Sequence, residues 1–233
     1  MIYLSRKGGI FLVKDAMNRE MKRIDKNQIV QAAIELLQEE GLDKLTMRRL
    51  AEKLDIKGAS LYWHIKNKNE LLELISDEVC KQIQPPPEDK PYDEQLLLLA
   101  RRYRQVLLNI RDSAHILAET PPTTPYRIDL IKRTNLLLER IGFRGQDIFS
   151  ASWLLNNYVV SFVLDEYRIY QMNIDLQSES KKEQNHEPKS QQIEKSPQAP
   201  DKHEIQFSIT DLNKEFQFGL EVILEGFKGK LKG

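Results

Sequence analysis

Seven cations stand between positions 44 and 68: Lys44, Arg48, Arg49, Lys53, Lys57, Lys66 and Lys68. Only Glu52 and Asp55 oppose them in the same window. Lysine and arginine at that density can neutralise phosphates, each contact releasing a condensed counterion. The whole chain is balanced, with 35 Lys+Arg against 35 Asp+Glu, so the excess is local. Charge alone also fits a plain solvated face. The residues between the cations sharpen the reading. Gly58, Ala59 and Ser60 are small and permit close approach to a surface. Ser60 can donate or accept at a base edge, and Ala59 can meet a thymine methyl. Tyr62 and His64 can hydrogen-bond phosphate oxygens while their rings pack, and Lys66 and Lys68 can hold the backbone. Tyr62 and Trp63 are adjacent, so on a helix they point about 100° apart and cannot both be core. At least one is exposed, as a partner-contacting aromatic would be.

The elements that position these groups are helices. From Lys26 to Glu40, the residues Ile29, Ala32, Ala33, Leu36 and Leu37 repeat at helical spacing. Asp25 with Gln28 forms a capping box ahead of them, and Gly41 stops the run. A second helix is expected from Thr46 to Leu54. Asp55-Ile56-Lys57-Gly58 makes a turn, and a short helix follows from Ala59 to Ile65. That is helix-turn-helix spacing, and the short second helix can enter a major groove with its first residues. Arg48 and Arg49 fall in the first turn of their helix, where the macrodipole disfavours cations unless an anion lies nearby. Asn67 and Glu70 open the next helix, expected to run to Ile83, and Pro85-Pro86-Pro87 ends it.

Catalysis finds little support. His64, His115, His186 and His203 show no metal-ligand spacing, and no glycine-rich phosphate loop is present. The single cysteine, Cys80, excludes a disulfide framework and fits a reducing, cytoplasmic setting. It sits on an amphipathic helix as an inert thiol. No apolar run approaches the roughly 20 residues of a membrane span. No metal and no cofactor are expected. Beyond the prolines the sequence predicts helices near 93–110, 113–118, 126–141, 146–170 and 210–227. Residues 173–204 are rich in Ser, Lys, Glu, Gln and Pro and predict a flexible loop. The expected organisation is a tail at 1–24, a helix-turn-helix domain with its connecting helix at 25–84, and a larger helical ligand-binding and dimerisation domain at 85–233. The fold class is all-α. In the tail, the codons for Lys7-Gly8-Gly9 could spell a ribosome-binding sequence, which predicts a translation start downstream, near Leu12 or Met17; the alternative is a basic arm that touches DNA.

From Asp25 to Ile75, and above all at Leu61-Tyr62-Trp63-His64, Lys66-Asn67-Lys68 and Leu71-Leu72, the sequence resembles the DNA-binding domain of the TetR family of transcriptional regulators. The resemblance implies a homodimer on palindromic double-stranded operator DNA, released by a small effector. It places Arg48, Gly58, Ala59, Ser60, Tyr62, Trp63, His64 and Lys68 against the duplex; Arg49, Lys57 and Lys66 join them on charge. A weaker resemblance continues through Arg111 to Thr120, Pro122, Gly142-Phe143 and Phe162 to Asp165. Tetracycline-responsive members hold a drug-bound magnesium there with a histidine, a threonine and a carboxylate. Here the matching positions are Leu117, Thr120 and Asp165. Without the imidazole, a metal-free apolar pocket is expected, lined by Tyr103, Leu107, Leu117, Thr120, Trp153, Asn157 and Asp165. Leu212, Phe216, Leu220, Ile223 and Phe227 are expected to form the seam of a four-helix dimer interface with the 146–170 helix. The helix 71–83 is the expected lever between effector and DNA. The alternative is a protein-interaction or transcription-activating adaptor built on the same fold.

Overall fold

The computed structural model describes residues 24–183 and 211–232, with side chains to residue 172 in the first stretch. The tail therefore lies outside the described residues up to position 23, as does most of the stretch read as a flexible loop. The described residues form nine α-helices and no strand. They are α1 (Lys26–Glu40), α2 (Met47–Lys53), α3 (Gly58–His64), α4 (Lys68–Lys81), α5 (Tyr92–Asn109), α6 (Ser113–Glu119), α7 (Pro125–Ile141), α8 (Gln146–Glu183) and α9 (Leu212–Lys232). The chain divides into two compact units, 1–70 and 71–233. The division falls inside α4, ahead of the three prolines where the sequence places it.

In the first unit local chemistry sets each boundary. The Asp25 carboxylate accepts from the backbone N–H of Gln28 at 2.8 Å, and the Gln28 side chain accepts from Asp25 N–H at 3.1 Å. This reciprocal box starts α1. Gly41, at φ 84°, ends it with its N–H on Leu37 O. A 3₁₀ turn, Leu42–Lys44, follows; no periodicity announces so short an element. The Thr46 hydroxyl accepts from Arg49 N–H and caps α2. Between α2 and α3 the left-handed residue is Asp55, at φ 56°, while Gly58 is already helical. Short acidic side chains tolerate that conformation, so the turn does not need its glycine for backbone reasons. Ile29, Leu37, Leu45, Leu50, Leu61 and Ile65 are fully buried and fix α3 against α2.

In the second unit α5, α7 and α8 pack together, with α6 and α9 laid against α8. Arg104 of α5 and Glu166 of α8 form a buried bidentate pair. The same guanidinium donates to Asn213 of α9 at 2.8 Å and lies 4.7 Å over the Phe216 ring. One side chain thus holds three helices. Where α8 crosses α9, Tyr158 donates to Phe216 O at 2.9 Å directly over Gly219. A longer residue at 219 would collide with the phenol.

Two expectations are corrected here. The helix read as ending near Tyr170 continues to Glu183, into the stretch assigned to a loop. The α9 seam faces inward. Phe216, Leu220 and Phe227 are buried within the chain, Phe216 against Tyr158 and Phe162 and Phe227 against Phe143. Besides Leu231 near its end, the exposed large apolar residues of α9 are Phe218 and Val222, roughly 200° around the helix from Phe216 and Leu220. On α8, Phe149 and Trp153 are exposed one turn apart.

Candidate functional site

Helix α3 is a seven-residue helix held by one buried residue, Leu61, and closed by buried Ile65. Everything else on it faces outward or is half-buried. Lys57, Gly58, Ala59 and Ser60 are exposed, and His64 is half-buried. Tyr62 is 53% exposed and Trp63 88%. Both aromatics are exposed, where the sequence requires at least one, because the buried residues that anchor α3 are Leu61 and Ile65. An indole left in water at that level offers a large area whose burial by a partner would be stabilising. Arg48, Gly58 and Tyr62 also line an open groove between α2 and α3 with Met47, Ala51, Glu52 and Ile56. A Cβ on Gly58 would meet nothing within 4 Å, so its bareness serves no contact inside the chain.

The cations divide into two sets. Arg49 is held by both carboxylate oxygens of Glu40, which raises its pKa, first through that hydrogen bond. Lys53 reaches Glu39 at 2.9 Å and Glu35 at 3.5 Å. These acids lie on α1, outside the window in which the sequence counts charge, and α1 packs on α2. Arg49 is therefore engaged with its own fold. Arg48 pairs with Glu52 at 2.9 Å, yet its side chain is 89% exposed. Lys44, Lys57, Lys66 and Lys68 form no ion pair among the described residues. At the start of α4, Asn67 accepts from Glu70 N–H at 2.9 Å. Glu70 in turn accepts from Lys66 N–H at 2.7 Å and Lys26 Nζ at 3.1 Å, which hold its carboxyl below the usual carboxylate range. This clasp fixes Lys66 and Lys68 at the end of α3.

The second unit holds a cavity of about 30 Å³ between α5, α7 and α8. Of the seven expected lining residues only Tyr103 borders it. Leu107, Leu117 and Thr120 are buried but do not border this cavity, and Arg127 clamps the last two. The Arg127 guanidinium donates to Leu117 O at 3.0 Å, Thr120 O at 2.8 Å and the Thr120 hydroxyl at 2.6 Å. A cation on the last carbonyls of α6 is favoured by that helix's dipole. Trp153 is 62% exposed, and Asn157 spends its amide on Trp153 O at 2.9 Å. Asp165 is exposed and pairs with Arg168; the buried carboxylate of α8 is its neighbour Glu166. The cavity is bordered instead by Leu130, Thr134, Ser152, Leu155 and Asn156, among others. The expected candidates came from the resemblance, whereas this wall follows the α7 and α8 faces turned toward α5. Thr134 and Ser152, buried polar residues on amphipathic helices, were the available signal. Among the described residues no group of three or more His, Cys, Asp or Glu could hold a metal ion. Cys80 is buried, and burial pushes its thiol up to about 12. No described helix is long and apolar enough to cross a membrane.

A small helical unit that presents an exposed, cation-flanked second helix defines a helix-turn-helix DNA-binding protein. Comparison with known proteins makes this specific. Residues 29–75 match the domain of bacterial regulatory proteins of the tetR family, and residues 84–231 match the tetracyclin repressor-like C-terminal domain. The tetracycline repressor of class A from transposon 1721 (Escherichia coli) is 34% identical over 149 residues, 63% of this chain and 68% of that protein. The class E repressor of Escherichia coli is 27% identical over 91% of this chain and 94% of its own. Among solved structures, Streptomyces coelicolor ActR in complex with actinorhodin superposes with a TM-score of 0.71 at 26% identity, covering 90% of this chain and 98% of that one. The chain belongs to the TetR family, whose members are transcriptional regulators, and is a ligand-responsive, DNA-binding repressor.

Proposed function

We propose that the protein acts as a homodimer on a palindromic operator, in the cytoplasm, with α3 of each copy in the major groove. The exposed face of α3 carries this reading: Trp63 at 88% and Tyr62 at 53% exposure, next to lysines that form no ion pair among the described residues. Ser60 and Ala59 meet base edges, Lys57 and Lys68 meet phosphates, and Trp63 packs on the sugar-phosphate wall. The exposed apolar residues Phe149 and Trp153 of α8 and Phe218 and Val222 of α9 support a face covered by a second copy. The effector enters the second unit and favours a state in which the two α3 helices no longer match grooves about 34–36 Å apart. Helix α4, which begins in the first unit and ends in the second, transmits that preference.

Mobility shift on duplex DNA from the protein's own promoter region tests the reading. Trp63→Ala and Lys57→Ala weaken binding broadly, while thermal stability stays unchanged because neither side chain is buried. A Ser60 substitution shifts preference at particular base pairs. Wild-type affinity in both Trp63→Ala and Lys57→Ala would place the duplex elsewhere.

A further inference from the structure

Leu155 stands between two spaces. On one side is the cavity bordered by Tyr103, Thr134, Ser152 and Asn156. On the other is an apolar cleft of about 10 Å³, bordered by Leu96, Leu220, Leu224 and Phe227. Leu155 borders both and is itself 6% exposed. Neither space alone holds more than one or two water molecules. Rotation of one isobutyl group would join them into a single pocket with a hydroxyl-lined end and a hydrocarbon end. Ile131 and Asn156, both exposed, set the mouth of the polar end at the surface.

The polar end has a definite hydrogen-bond pattern. Thr134 donates its hydroxyl to Leu130 O at 2.9 Å, so toward the cavity it can only accept. Tyr103 donates to Asn156 Oδ1 at 3.3 Å. The exposed Asn156 side chain takes the Tyr103 proton at Oδ1, so its amide nitrogen, like the Ser152 hydroxyl on the same wall, can donate to a ligand. A ligand oxygen that both gives and takes a proton satisfies all three groups: it donates to Thr134 and accepts from Ser152 and Asn156. That is an alcohol or phenol. A carbonyl or ether lacks the donor, and a carboxylate lacks it as well at neutral pH. No side chain around either space carries a charge that would offset burying an ionised ligand.

The geometry points to an uncharged, hydrophobic alcohol or phenol as the effector, its hydroxyl between Thr134, Ser152 and Asn156 and its hydrocarbon body past a displaced Leu155. This rests on the repressor reading above and adds the ligand's chemistry to it.

Calorimetric titration of the full chain with 2-naphthol, naphthalene and 2-naphthoate at neutral pH tests it. 2-Naphthol is expected to bind at least tenfold tighter than 2-naphthoate. Thr134→Val keeps the volume and removes the acceptor. It should weaken 2-naphthol roughly five- to tenfold and leave naphthalene unchanged. Leu155→Ala should tighten 2-naphthol severalfold; if that variant fails to melt cooperatively, the Thr134→Val comparison decides alone. Equal or tighter binding of 2-naphthoate, an equal effect of Thr134→Val on naphthalene, or no binding of any probe would overturn the inference. Operator binding is measured on the same preparation without probe. Protein that binds operator but no probe sinks this inference only; protein that ignores operator sinks the reading beneath it.

Discussion

If α3 docks as proposed, the acids of α1 should set how steeply operator binding depends on salt. Four lysines, Lys44, Lys57, Lys66 and Lys68, have no ion-pair partner among the described residues, and exposed Arg48 is held only by its neighbour Glu52. An exposed pair of that kind contributes little and yields readily to phosphate. Arg49 on Glu40 and Lys53 between Glu35 and Glu39 stay engaged. Each protomer can therefore neutralise about five phosphates and a symmetric pair about ten, a slope of log K against log salt of roughly −9. All seven cations of the window would give roughly −13. Fluorescence anisotropy of a labelled operator duplex, from about 50 to about 200 mM salt, reads the slope. Lys57→Ala should flatten it by about 1.8, one phosphate per protomer. Arg49→Ala should leave it unchanged. A wild-type slope near −13, with Arg49→Ala flattening it as much as Lys57→Ala does, would show that the acids of α1 release their partners, and the division of charge argued here would be wrong.

Three further outcomes follow from the packing. Because Glu70 titrates below its ordinary value, its contribution to stability is present above the usual carboxylate range and is lost as pH falls below about 4. The difference in melting temperature between wild type and Glu70→Gln should hold from neutral to mildly acid pH and vanish below that range; a difference that grows on acidification would contradict the clasp. Gly219→Ala would put a Cβ 2.1 Å from Tyr158 Oη and should cost roughly 1–3 kcal/mol in urea unfolding, whereas Gly226→Ala and Gly229→Ala, with nothing within 4 Å, should stabilise α9. Arg104→Met alone should cost about 3–5 kcal/mol by leaving Glu166 buried and uncompensated, and Arg104→Met with Glu166→Leu should recover most of that; additive losses in the double variant would refute a coupled pair.

The helices were legible in the sequence wherever their boundaries rest on local chemistry. Asp25 with Gln28, Thr46 and Gly41 each act on groups three or four residues away, so spacing alone identifies them. What spacing cannot identify is a partner distant in sequence. Glu35, Glu39 and Glu40 reach Arg49 and Lys53 only because α1 packs on α2, and a charge count confined to the motif leaves them out. The cavity between α5, α7 and α8 was hidden for the same reason. Thr134 and Ser152 sit on different helices, and nothing along either helix shows that α5 brings Tyr103 between them.

The α9 seam shows how far periodicity carries. Phe216, Leu220, Leu224 and Phe227 repeat at helical spacing, and so do Phe218 and Val222 on the opposite side. Both stripes want cover, and the pattern does not say which one this chain covers itself. Size decides it. The stacked contact of Tyr158 on Phe216 and the edge contact of Phe143 on Phe227 need aromatic rings at α9 positions spaced three turns apart, and only the first stripe has them. The stripe left over, with Phe149 and Trp153 on α8, is uncovered among the described residues, which fits the second copy proposed above. On this argument Val222→Glu should shift the protein toward monomer in analytical ultracentrifugation and leave the helix content by circular dichroism intact. Leu220→Glu should unfold it instead, because that side chain is 1% exposed. The opposite pattern would mean that the two stripes exchange roles in solution.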